Sequence, residues 1–229
     1  FAVYMPGDIA VQWARLGAMG AFIMAIAWFL IADQTFSIPA VPVPHQGHDK
    51  ISAHLWRLIA GYGFFGFGYV VAATFVVAMA GSLQTPDFDA RSVWLVVGLS
   101  LVPSVYIWQW LSNRYGLLKS LRAAYLVEAV GVVLAGLSTS VGWLVFACVL
   151  LGGTFGAITA LGISAAKEAA PTRVAFTVSA MTIAFALGQL LGPAISGRMA
   201  DLFGDFMWPS IAAATLLMAA AALIRKPAQ

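Results

Sequence analysis

Long apolar runs, cut by short clusters of charge, dominate this chain. No charged residue falls between Arg15 and Asp33, Arg57 and Asp87, Arg91 and Arg114, Arg173 and Arg198, or Asp205 and Arg225. A longer neutral stretch, from Glu128 to Lys167, is broken only by the turn-forming segment Ser138-Thr-Ser-Val-Gly142. A helix needs about 20 apolar residues to cross a hydrocarbon core of about 30 Å. The runs therefore predict seven membrane helices, over residues 13–32, 55–80, 92–112, 118–138, 143–166, 174–197 and 207–224. None of them alternates with period two, so a membrane barrel is not expected. The predicted fold class is an all-α integral membrane protein, with a first helix (1–32), a linker (33–53) and a six-helix domain (54–229).

Composition agrees. Of the 229 residues 62% are hydrophobic and 9% are charged. A soluble domain carries about 25% charged residues, so this chain cannot cover a water-facing surface and the lipid bilayer must be its main partner. Cys148 is the one cysteine, which excludes an internal disulfide. The chain begins with Phe1, and no basic segment with a cleavage site opens it. A longer polypeptide, or a partner membrane subunit, is expected to supply what precedes it.

The placement of cations orients the helices. Lys50, Arg57, Arg114, Lys119, Arg122, Lys167, Arg173, Arg225 and Lys226 fall on one side, and only Arg15, Arg91 and Arg198 on the other. By the positive-inside rule the first side is cytoplasmic, which puts the C-terminus there. The linker 33–53, with Pro39, Pro42 and Pro44, reads as a cytoplasmic connector. Its His45 and His48, with nearby His54, read as solvated loop residues rather than metal ligands.

The last six helices repeat themselves weakly. GYGFFGFG at 61–68 aligns with LGGTFGAI at 151–158, pairing Gly63 with Gly153, Phe65 with Phe155 and Gly66 with Gly156. LVPS at 101–104 aligns with LGPA at 191–194, pairing Pro103 with Pro193. QWLSNRYG at 109–116 aligns with GRMADLFG at 197–204, pairing Asn113 with Asp201 and Gly116 with Gly204. Three helices per repeat is an odd number, so the two triplets enter the membrane from opposite sides. The result is a 3+3 inverted repeat, an architecture of secondary transporters.

This pattern resembles the C-terminal half of a major facilitator superfamily transporter: a sixth helix, a long cytoplasmic loop, then helices seven to twelve. LWRLIAGYGFFGFGYVVAATF is similar to the seventh helix of a poorly characterised bacterial branch, GTFGAITALG to the tenth and GQLLGPAISGRMADLFG to the eleventh. The family's loop signature, Gly-x-x-x-Asp-x-x-Gly, is matched by Gly197, Asp201 and Gly204. In the other copy Gln109 and Asn113 replace its first Gly and its Asp, while Arg114 and Gly116 remain. The resemblance implies a bacterial inner-membrane protein that moves a small organic solute, with protons as the driving ion, and whose other half lies outside this sequence.

Gly61-x-Gly63-x-x-Gly66 matches a dinucleotide-binding fingerprint as text only. That loop needs a strand before it, a helix N-terminus after it and an acid about 20 residues on. Here the glycines lie inside one charge-free run. On a helix, Gly61 and Gly68 fall on one face, Gly63 and Gly66 on another, and Tyr62 and Tyr69 between them. Small residues let helices approach closely, and the two tyrosines become candidates for lining a solute cavity. Thr154 and Gln189 are further cavity candidates, as polar groups within helices that line the cavity in the family. Glu128 is the one acid deep within a predicted span. Such a residue usually faces a partner or a wet path, so it is the candidate for proton coupling; pairing with Arg122 is the plainer alternative. Arg57 reads as a membrane-surface anchor, and Trp108, Trp110, Trp143 and Trp208 as interface aromatics.

No nucleotide-binding loop, metal cluster or nucleic-acid signature is present, so neither a cofactor nor nucleic acid is expected, and enzymatic activity is not. A non-transporting accessory subunit of a larger membrane complex is the alternative. A retinal protein is disfavoured, because the last span offers no lysine for a Schiff base.

Overall fold

Seven α-helices run through the described residues, as the charge-free runs predict. A computed structural model describes residues 9–31, 52–86 and 88–225. The helices are α1 (Ile9–Ile31), α2 (Ala53–Ser82), α3 (Val93–Tyr115), α4 (Leu117–Gly136), α5 (Val141–Ala169), α6 (Val174–Phe203) and α7 (Met207–Leu223). Short 3-10 turns at Ala90–Ser92 and Pro171–Arg173 lead into α3 and α6. No strand occurs among the described residues. The chain forms two compact units, residues 1–45, which hold α1, and residues 46–229, which hold the other six helices. Most of the linker, with His45 and His48, lies outside the described residues.

Among the described residues four elements are long and apolar enough to cross a membrane: Ala53–Ser82, Ala90–Tyr115, Val141–Ala169 and Pro171–Phe203. At about 1.5 Å per residue, the 30 residues of α2 exceed the hydrocarbon core, so its ends reach the headgroup region. α4 is shorter and carries Lys119, Arg122 and Glu128, and α7 has 17 residues.

The inverted repeat is visible in the packing. Exchange α2 with α5, α3 with α6 and α4 with α7, and the most extensive contacts map onto one another, although the α2–α4 packing has no counterpart of similar extent between α5 and α7. α2 packs on α6 as α5 packs on α3; α2 packs on α7 as α5 packs on α4; α4 and α7 pack on each other. The turns obey the same exchange. Gly116, between α3 and α4, and Gly204, between α6 and α7, are the glycines with positive φ (97° and 73°) among the described residues. The sequence pairs the same two positions.

Glycines set how closely these helices approach. In lipid no hydrophobic force drives one apolar helix onto another, so close van der Waals contact must do it. A side chain at Gly66 would strike the Phe185 carbonyl of α6, and one at Gly63 would sit 3.3 Å from the Ala184 carbonyl. Gly61 and Gly68 instead face Ala220 and Leu217 of α7. The two glycine faces of α2 read from its sequence therefore seat two different helices. Gly152 plays the matching part on α5, against the Val97 carbonyl of α3.

Trp108 departs from its expected interfacial role. It is half-buried, and its indole N–H donates to the Gly153 carbonyl at 2.8 Å, tying α3 to α5. Trp110, Trp143 and Trp208 are exposed.

Candidate functional site

Three helices bring polar groups together in the middle of the six-helix unit. Tyr62, Phe65 and Tyr69 of α2 are spaced by three and four residues, which puts them on one helical face. Tyr125 and Glu128 of α4 are three apart and share a face likewise. α5 presents Thr154, Phe155 and Thr159 to both.

Phe65 sits at the centre and has no exposed surface. Its ring is surrounded by those of Tyr62 (5.7 Å), Tyr69 (6.0 Å), Tyr125 (6.0 Å, edge-on), Phe155 (5.8 Å) and Phe185 (5.4 Å). Phe65 and Phe155 are equivalent in the repeat. Their contact places the pseudo-twofold axis of the six helices at this spot. Tyr69 stacks on Phe155 with ring centroids 4.1 Å apart. The Tyr62 ring lies over Gly162, where a Cβ would come within 3.3 Å of it, and its hydroxyl is hydrogen-bonded to Thr159.

Glu128 is fully buried beside this aromatic group. Its Oε2 is hydrogen-bonded to the Thr154 hydroxyl, and its Oε1 has no partner among the described residues. Tyr69 and Tyr125 both lie within electrostatic reach of it. The Thr154 oxygen is also 2.7 Å from the Leu150 carbonyl. A hydroxyl has one proton and two lone pairs. With Glu128 charged, Thr154 donates to the carboxylate. With Glu128 protonated, the acid donates to Thr154, which then donates to Leu150. The Thr154 hydroxyl can thus pair with Glu128 Oε2 in both states without rearranging the helices.

Four of the sequence candidates, Tyr62, Tyr69, Glu128 and Thr154, thus meet in one cluster. Gln189 does not join it: the residue is half-buried on α6 and makes no hydrogen bond to the cluster. Pairing of Glu128 with Arg122 does not occur. The two are six residues apart, about 240° around a helix, so Arg122 is exposed at the helix start while Glu128 points inward.

The loop-motif residues stand apart, at the two ends of the bundle. Gln109 donates to Asn113 at 3.2 Å, so the two residues that replace the signature's Gly and Asp pair with each other. The Arg114 guanidinium lies 5.8 Å from the ring centres of both Trp110 and Tyr115. Asp201 is exposed, and Gly197 passes Phe75 of α2, where a Cβ would lie 3.6 Å from the ring, in ordinary contact.

Sequence reading missed Tyr125, Phe155 and Thr159 as members of the site. Tyr125 was signalled by its three-residue spacing from Glu128, and Phe155 by its pairing with Phe65. Thr159 carried no signal that separates it from any other helix hydroxyl.

One family model matches residues 2–225, and its description is "uncharacterised MFS-type transporter YbfB". No curated protein matches the chain.

Proposed function

The chain belongs to this YbfB-type family of major facilitator transporters, and from that premise we propose that it is the C-terminal half of a proton-coupled carrier for small organic solutes. The observation that carries the reading is the Glu128–Thr154 pair beside the Phe65–Phe155 contact. Transporters built from inverted repeats bind solute and coupling ion at the repeat interface, near the bilayer midplane. Here the acid that can hold or release a proton lies at that interface. The surrounding Tyr62, Tyr69 and Tyr125 offer ring faces and hydroxyls but no charge, which suits neutral or amphipathic solutes.

The outer faces of the bundle support the assignment as one half. α3 exposes Leu99, Val102 and Tyr106, and α6 exposes Ile183, Leu187 and Leu190. In the proposed assembly a second helical body covers these faces and closes the solute path, and the end bearing Lys119, Arg122 and Arg225 faces the cytoplasm of a bacterial cell.

The test is uptake into proteoliposomes holding the full-length protein, with an imposed proton gradient and a panel of neutral and amphipathic aromatic solutes. Accumulation should follow the gradient, collapse with a protonophore and disappear in Glu128→Gln, which keeps the side chain's shape and removes its ionisable proton. Accumulation that ignores the gradient overturns proton coupling. Coupled accumulation that survives in Glu128→Gln removes Glu128 from the mechanism.

A further inference from the structure

A second cavity, unrelated to the aromatic cluster, opens at the basic end of the six-helix unit. It encloses about 550 Å³ between the α3–α4 turn, the last turn of α5 and the end of α7. Lys119, Arg122 and Arg225 line it, with Glu168 as the one carboxylate in its wall. Arg225 donates its Nε–H to the Ala222 carbonyl at 3.1 Å, which leaves its terminal nitrogens available. Among the described residues neither Lys119 nor Arg122 forms a salt bridge. Three cations against one acid leave the cavity net positive.

The backbone adds to this field. Gly116 and Leu117 also line the cavity. α4 begins there without a side-chain cap, so the first-turn N–H groups of Leu117, Leu118 and Lys119 lack helical acceptors and carry the positive end of the helix dipole. The rest of the wall is apolar, from Leu117, Leu118 and Ile224. A group that suits all of these features is an anion with several acceptor oxygens attached to an apolar body. Basic pockets between membrane helices are a recognised way of holding phosphate headgroups.

We propose that this cavity binds a phosphate group, presented at the membrane surface by an anionic phospholipid or taken free from solution. The oxygens lie against Lys119, Arg122 and Arg225, and the upper part of a lipid's acyl chains lies against Leu118 and Ile224. Glu168 opposes binding and limits its strength.

The experiment is native mass spectrometry and thermal melting of the full-length protein in neutral detergent. It is titrated separately with phosphatidylglycerol, phosphatidylcholine and inorganic phosphate. Phosphatidylglycerol should bind and raise the melting temperature, less so at high salt, while phosphatidylcholine binds weakly. The double substitution Lys119→Ala, Arg122→Ala should weaken that binding at least about tenfold, and Arg198→Ala, at the opposite end, should leave it unchanged. Glu168→Gln should tighten it, a gain that damage to the fold does not produce. Stabilisation by inorganic phosphate alone, dependent on the same two cations, also supports the site and identifies free phosphate as its source. The proposal is overturned if phosphatidylglycerol binds no better than phosphatidylcholine and phosphate has no effect. It also fails if the double substitution and Glu168→Gln change nothing.

Discussion

Thr154 on α5 and Glu128 on α4, 26 positions apart in the chain, share a hydrogen bond in the buried centre of the bundle. Neither residue has another side-chain hydrogen-bond partner among the described residues. The bond therefore joins α4 to α5 and stands between Glu128 and complete isolation in an apolar interior. Leaving a buried polar group unpaired costs about 1–3 kcal/mol, whereas removing both partners together can be nearly neutral.

Thr154→Val should therefore lower stability by about that amount and weaken proton-coupled uptake, while Thr154→Ser retains both. Adding Glu128→Leu to Thr154→Val should recover much of the stability but none of the coupling. Thermal melting of these proteins and of Glu128→Leu alone, set beside their uptake rates, checks this. Additive stability losses in the double variant would refute the pairing.

The repeat pairs Gly63–Gly66 with Gly153–Gly156, but the two glycine runs are not equally crowded. A Cβ at Gly66 meets the backbone carbonyl of Phe185, which cannot move aside, and one at Gly153 meets nothing within 4 Å. Gly66→Ala should cost about 1–3 kcal/mol through overpacking of α2 on α6. Gly153→Ala should be neutral or gain up to about 1 kcal/mol from helix propensity. Melting temperatures in one detergent give the comparison, and equal shifts would contradict the close α2–α6 approach.

Gly116 and Gly204 are equivalent turn residues with different backbones. Gly204, at φ 73° and ψ 11°, caps α6 in the left-handed helical region, which asparagine tolerates. Gly116, at φ 97° and ψ 146°, occupies a region open essentially to glycine alone. Gly204→Asn should cost no more than about 1 kcal/mol, because asparagine visits the left-handed region, and Gly116→Asn about 1–3 kcal/mol. Expression level and thermal melting of the two variants distinguish them, and a tolerant Gly116 would mean that the α3–α4 turn adopts another geometry.

Asp89 begins the 3-10 turn ahead of α3, accepting hydrogen bonds from the Arg91 side chain at 3.1 and 3.2 Å and from the Arg91 backbone N–H at 3.0 Å. The Arg91 guanidinium, helped by that N–H, holds the Asp89 carboxyl below the usual carboxylate range. A lowered folded value means the contact contributes above the unfolded value, about 3.9, and is lost as pH falls through the folded one. Asp89 should therefore add no pH dependence between about pH 5 and 8. The carboxyl-carbon NMR shift of labelled Asp89 should titrate below the ordinary range, and Arg91→Ala should move its midpoint up.

Much of the architecture was legible before any coordinates. Charge-free runs mark the helices because charge is what hydrocarbon excludes. Charge clusters mark their ends, and Gly116 and Gly204, matched in sequence, both turn the chain at positive φ. The angular spacing of Gly61, Gly63, Gly66 and Gly68 foretold two packing faces on α2. That spacing is a property of the helix itself, which needs no knowledge of its neighbours.

Tertiary structure decided which residues meet. Lipid tails and helix interiors are equally apolar, so a membrane helix carries little amphipathic pattern to show which face turns inward. The runs therefore could not say that Glu128 turns to Thr154 and away from Arg122, that Trp108 ties α3 to the Gly153 carbonyl, or that Tyr62 lies against Gly162. Nor could they show that Lys119, Arg122 and Arg225, from helices far apart in the chain, surround one cavity. The sequence by itself marked the apolar segments and set each helix beside its partner in the repeat. Rotation and crossing of the helices, set by where backbones can touch, determined the site.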